Sequence, residues 1–138
     1  MRRPEGTCGA ALLAVVLAGC AQPAAPPGTG AEEVAREYFE AILRQDWGRA
    51  YAALDPEERA RRGVESFARL AQSYHRRLGF EPREVHVRSC EEHGDEAIAH
   101  VVFTGPGGRQ HFHKDAVTLR RGAAGWGVVL PPRFGQGH

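Results

Sequence analysis

Two periods divide the chain. From Ala31 to Leu78 apolar side chains recur every three or four residues, and from Glu84 to Leu130 they recur at every second one. The first spacing is that of a helix face, the second that of a strand with one side in water. Val34, Tyr38, Ala41 and Ile42, widened by Ala35 and Phe39, predict a helix opening at Ala31. Glu32 and Glu33 suit its positive end. Asp46 reads as the N-cap of a short second helix with Trp47, Ala50, Tyr51 and Leu54 on one face. Asp55-Pro56-Glu57-Glu58 opens another helical turn that ends near Gly63, because Asp caps, Pro fits the first position and Glu58 follows three residues after the cap. Phe67, Leu70, Ala71, Tyr74 and Leu78 mark a further amphipathic helix, closed by Arg76, Arg77 and Gly79.

The alternating half predicts four strands: Glu84 to Cys90, Glu96 to Thr104, Gln110 to Arg120 and Trp126 to Leu130. Glu91 to Asp95, Gly105-Pro106-Gly107-Gly108 and Arg121 to Gly125 are the turns. Pro131 and Pro132 stop the last strand, since proline cannot donate to a ladder. In the second strand Ala97, Ala99, Val101 and Phe103 oppose Ile98, His100 and Val102. The third is ambiguous. His111, His113, Asp115, Val117 and Leu119 share one face if it is unbroken, and Phe112 takes the other. A β-bulge near Lys114-Asp115 is expected, because it turns Phe112 inward and spares two histidines their desolvation.

Helices first and an antiparallel meander afterwards make an α+β layout. Tyr38-Phe39, Asp46-Trp47, Ala50-Tyr51 and Gly125-Trp126-Gly127-Val128 within that order resemble the nuclear transport factor 2-like (cystatin-like α+β) superfamily. The resemblance covers Ala31 to Leu130. It implies N-terminal helices packed on a curved antiparallel sheet as a cone, and it implies either a ligand-binding module or an isomerase- or dehydratase-like enzyme. A charged or histidine pair inside the cone would favour the enzyme; an all-apolar interior with a broad apolar sheet face would favour the binding module.

Ahead of this domain, Arg2 and Arg3 precede an apolar run from Ala10 to Leu17 that ends in Leu17-Ala18-Gly19-Cys20. The run is short of the roughly 20 apolar residues of a membrane span and has the layout of a secretory signal. Its ending resembles the lipobox of bacterial lipoproteins, which implies cleavage before Cys20, acylation of Cys20 and attachment to the outward face of a bacterial membrane. The expected organisation is a signal over residues 1–19, a lipidated cysteine and Pro/Gly tether over 20–30, and one domain over 31–138. Removing Arg2, Arg3 and Glu5 leaves 16 basic and 16 acidic residues, interleaved along the helices, so nucleic acid is excluded as a partner. With Cys8 and Cys20 consumed, Cys90 has no partner for an internal disulfide and reads as a half-buried strand residue.

Chemistry is sparse. His100, His111 and His113 have strand spacings that would bring three imidazoles near one metal ion, yet they read better as polar residues of a wet sheet face, and no metal or other cofactor is expected. Tyr38, Asp46, His100 and Asp115 are the general acid–base candidates by type, though no motif places two within hydrogen-bond reach. Tyr38, Trp47, Tyr51, Phe103 and Trp126 are the candidate lining of a ligand slot, with core packing the simpler reading of both tryptophans. The Gly105-Pro106-Gly107-Gly108 turn lacks the Lys-Ser/Thr ending of a phosphate loop. The expected partners are the membrane through Cys20, a small apolar ligand, and an envelope protein or second copy on the exposed sheet face.

Overall fold

A computed structural model describes residues 28–107 and 110–136. The signal, Cys20, most of the tether and Gly108 lie outside the described residues. Four helices come first: α1 (Ala31–Leu43), α2 (Trp47–Ala52), α3 (Pro56–Arg61) and α4 (Val64–Arg76). Strands β1 (Glu84–His93), β2 (Glu96–Thr104), β3 (Phe112–Gly122) and β4 (Gly125–Val129) follow, paired antiparallel in sequence order in one curved sheet. The α+β reading holds. The first hairpin is tighter than expected, because β1 runs on to His93 and turns through Gly94, whose φ of 63° a glycine adopts without strain.

The helix caps obey their local chemistry. The Asp46 carboxylate accepts the Arg49 amide at the head of α2, and Asp55 accepts the Glu57 amide at the head of α3. Asp55 is buried, and Arg120 on β3 reaches both it and Glu57, at 3.4 and 3.0 Å. The segment Ala53–Asp55 then joins the sheet: the Asp55 amide donates to the Val128 carbonyl and the Val128 amide to the Ala53 carbonyl. Gly127 makes that approach possible, since a Cβ there would sit 2.5 Å from the Asp55 Cα.

Helix α1 lies across the sheet against β1 and β4, and α4 packs on α2 and α1. Between the layers Tyr38, Ile42, Leu54, Phe67, Val101, Phe103, Leu119 and Val128 are sealed from water. The sheet contributes its predicted inner row, Ala97, Ala99, Val101 and Phe103, which pairs with Leu119, Val117, Asp115 and His113 in turn. The bulge expected near Lys114-Asp115 is absent: the β2–β3 register is unbroken from Glu96 to Thr104. The irregularity sits instead in β1, at Arg88 between Val87 and Ser89, and Cys90 beyond it is half-buried as expected. Phe112 accordingly stays 55% exposed, with the Lys114 ammonium 5.9 Å over its ring.

Thr29, expected within the tether, belongs to the folded unit. Its amide and hydroxyl donate to the Glu92 carboxylate of β1, and its hydroxyl oxygen accepts from Arg121 and from the Trp126 indole. Helix α1 has no side-chain cap hydrogen bond, and the Glu92 carboxylate lies near the Ala31 amide at its positive end. The Thr29 hydroxyl bond, the two amides and Arg121 outweigh desolvation and hold the Glu92 carboxyl below its ordinary pKa.

Gly127→Ala is expected to destabilise the domain by about 2 kcal/mol through backbone overpacking against Asp55. Urea unfolding checks this against Gly122→Ala, at which an added methyl meets nothing within 4 Å, and which is expected to leave the midpoint almost unmoved.

Candidate functional site

Because β3 is unbroken, Val117 and Leu119 in the core carry Asp115 and His113 to the same inner face. There a cavity of about 260 Å³ lies between α1, the end of α4, β3 and the C-terminal segment. Tyr38 and Phe39 come from α1, Tyr74 and Leu78 from α4 and the turn after it, and His113 and Asp115 from β3. Phe134 closes the remaining side. Its ring stacks on Tyr74 at 5.3 Å and on Phe67 at 6.0 Å. Arg77 binds the Gln136 carbonyl, and a side chain on Gly135 would collide with the Leu70 carbonyl, so this segment is fitted closely to α4.

The polar centre is a tyrosine–aspartate pair. The Tyr74 hydroxyl donates to Asp115 Oδ2 at 2.6 Å, and Asp115 Oδ1 accepts the Ala116 amide at 2.7 Å. The Tyr74 ring also meets His113 edge-on. Tyr38 is only 2% exposed, and the buried side-chain polar atoms left without a partner among the described residues are Arg62 Nε and His75 Nε2, not its hydroxyl. Burial, then the charge of Asp115, then that of Glu58, push the Tyr38 phenol far above the ordinary tyrosine pKa. For Tyr74 burial is again the largest cause, followed by the charge and the hydrogen bond of Asp115. Both phenols are therefore neutral hydrogen-bonding groups at any physiological pH.

The structure sorts the sequence candidates sharply. Tyr38 and Asp115 share the cavity, as neighbours of Tyr74. Asp46 is an exposed helix cap, and His100, opposite Ala116, lies on the outer sheet face. The histidine trio is not assembled. His100 points outward, His113 inward, and His111 precedes β3 in the turn, with Nδ1 at 2.8 Å from the Pro106 carbonyl. Among the described residues no group of three His, Cys, Asp or Glu side chains is placed to hold a metal ion.

Of the five residues expected to line a slot, only Tyr38 does. Phe103 is fully buried behind the wall, touching Phe39 and Tyr74. The Tyr51 hydroxyl donates to the Arg59 and Arg62 carbonyls, Trp47 sits edge-on to His75, and Trp126 belongs to the Thr29 clasp. Sequence reasoning missed Tyr74 and Phe134. Tyr74 looked like one more residue of a helix face, and nothing local pairs it with Asp115, 41 residues away. Phe134 did carry a signal, as the single aromatic residue beyond Pro131-Pro132.

No protein-family model and no curated protein sequence matches the chain. Solved structures do. One is a Campylobacter jejuni protein provisionally named an NTF2-like transpeptidase, with a TM-score of 0.59 and 12% identity, covering 72% of this chain and 97% of that one. Another is a SEC-C motif containing protein from Rhodopseudomonas palustris, with a TM-score of 0.50 and 17% identity over 70% of this chain and 73% of that one. At these identities the likeness shows the fold alone: helices packed on a curved antiparallel sheet, an α+β fold of the nuclear transport factor 2-like type, which hosts both enzymes and binding modules.

Tyr38 and Tyr74 are expected to contribute no tyrosinate absorbance at pH 11 until the domain unfolds. Their folded pKa values are raised, so their contribution to stability is intact below the unfolded value of about 10 and is lost as pH rises above it. For Tyr38 the loss is about 1.4 kcal/mol per pH unit. Spectrophotometric titration with parallel urea melts reads both effects, and Asp115→Asn is expected to lower the pKa of Tyr74 more than that of Tyr38.

Proposed function

We propose that this protein is a lipid-anchored, non-catalytic binding module of the bacterial cell envelope, with the Tyr38–Tyr74–Asp115 cavity as its small-ligand site. The observation that carries the reading is that both Asp115 oxygens already accept a hydrogen bond, from Tyr74 and from Ala116. Each oxygen keeps a further lone pair for a ligand's donor, while the two bonds fix the carboxylate in place. It serves as an electrostatic and hydrogen-bonding wall, among aromatic faces that suit an apolar body.

The anchoring half rests on Leu17-Ala18-Gly19-Cys20. Among the described residues no helix is long and apolar enough to cross a membrane; in this reading acyl chains on Cys20 supply the attachment. The chain enters the domain at Thr29, against Arg121. Asp115 lies six residues back along β3, about 20 Å away at strand rise. An anchor upstream of Thr29 thus holds the end of the sheet remote from the cavity and leaves the mouth to the aqueous side.

A protein partner on the outer sheet face has less support. Ile98 and Phe112 are exposed there, but His100, Lys114 and Thr118 interrupt them. A second reading, an isomerase- or dehydratase-like enzyme, is favoured by His113 and Asp115 together in the interior, which is not all-apolar.

Native mass spectrometry of the protein purified from membranes separates these readings. The binding module predicts acyl mass on Cys20, lost together with membrane attachment in Cys20→Ser. It also predicts a small adduct released on denaturation and absent from His113→Trp, in which the indole fills the mouth. An unacylated chain overturns the anchor. An adduct that exchanges a carbon-bound proton in D₂O with the native protein, but not with Asp115→Asn, replaces the module with the enzyme.

A further inference from the structure

The cavity has a polarity that the binding reading alone does not use. Its one carboxylate, Asp115, is half-buried among the rings of Tyr38, Phe39, Tyr74 and Phe134. Its two guanidinium groups, Arg77 and Arg133, are exposed at the rim, and Arg77 is held there by the Gln136 carbonyl. Negative charge lies within and positive charge outside, separated by an apolar and aromatic wall. Tyr38, almost fully buried, contributes its ring to that lining.

This geometry points to a small zwitterion of the amino-acid class as the ligand, with its ammonium group on Asp115, its carboxylate toward Arg133 and Arg77, and an apolar side chain on the aromatic wall. An ammonium group there gains the Asp115 charge and the facing rings together, the arrangement by which aromatic boxes bind organic cations. A plain organic anion would meet the Asp115 carboxylate, and a plain cation would pass two guanidinium groups and leave them unused. Size agrees: a cavity of about 260 Å³ has room for a small amino acid such as leucine. This assignment rests on the cavity being the binding site.

Four probes built on one 3-methylbutyl unit test it on the purified protein: leucine, isoamylamine, 4-methylpentanoate and isoamyl alcohol. Calorimetry gives affinity, and the ring resonances of Tyr38 and Tyr74 report occupancy. Leucine is expected to bind at least tenfold more tightly than the other three, and to raise the midpoint of thermal unfolding by about 5 °C at ten times its Kd. Asp115→Asn is expected to weaken leucine and isoamylamine at least tenfold. Arg133→Ala, on the exposed rim and harmless to folding, is expected to weaken leucine and 4-methylpentanoate severalfold and leave isoamylamine unchanged. Isoamylamine or 4-methylpentanoate matching leucine overturns the zwitterion, as does leucine binding indifferent to both variants. Ring shifts with isoamyl alcohol alone overturn the ligand class while the cavity remains a binding site. Silence from all four probes overturns both.

Discussion

The hydrogen bond from Tyr74 to Asp115 fixes the facing of β3, and most of the interior follows from it. A strand offers two facings, and one residue of slip exchanges them completely. Burying Phe112 argues for the facing in which Asp115 looks outward. Sealing Val117 and Leu119 in the core argues for the other. Turning Asp115 and His113 inward would carry a heavy desolvation cost if the carboxylate were left bare. A hydroxyl at 2.6 Å and an amide at 2.7 Å remove most of that cost, and the lysine over its ring makes an exposed Phe112 tolerable.

Much of the fold was legible for this reason and the site was not. Three of the four helix starts announced themselves locally, in Asp46, in Asp55-Pro56 and in the acidic turn of α1, and each strand did so by its alternation. Those signals lie within a few residues of what they determine. The bulge was misplaced because a buried Phe112 was weighed against two desolvated histidines, whereas His111 lies in the turn before β3 and Asp115 has a hydroxyl partner 41 residues away. Thr29 was assigned to the tether for a similar reason: the composition around it is that of a linker, while the Glu92, Arg121 and Trp126 that hold it come from the far half of the chain. Trp126 looked like a pocket residue by size alone, whereas its indole donor was needed at the clasp.

The two ends of β3 thus do different work. At one, Arg120 and Arg121 tie down the α3 cap and the entry of the chain; at the other, Asp115 and His113 face a cavity that α1, α4 and the last residues complete. A rigid strand between a fixed entry and a recessed site is a sound design for a module held at a surface and open to the solution beyond it. The fold is equally suited to catalysis, so the distinction rests on what Asp115 engages and not on the architecture.

A double-mutant cycle on Tyr74→Phe and Asp115→Asn, read by urea unfolding, tests the inward facing of Asp115 most directly. A charge-assisted hydrogen bond in a partly buried site predicts a coupling of about 1.5 kcal/mol or more. Strictly additive losses would contradict it, placing Asp115 in solvent and emptying the cavity of its only carboxylate.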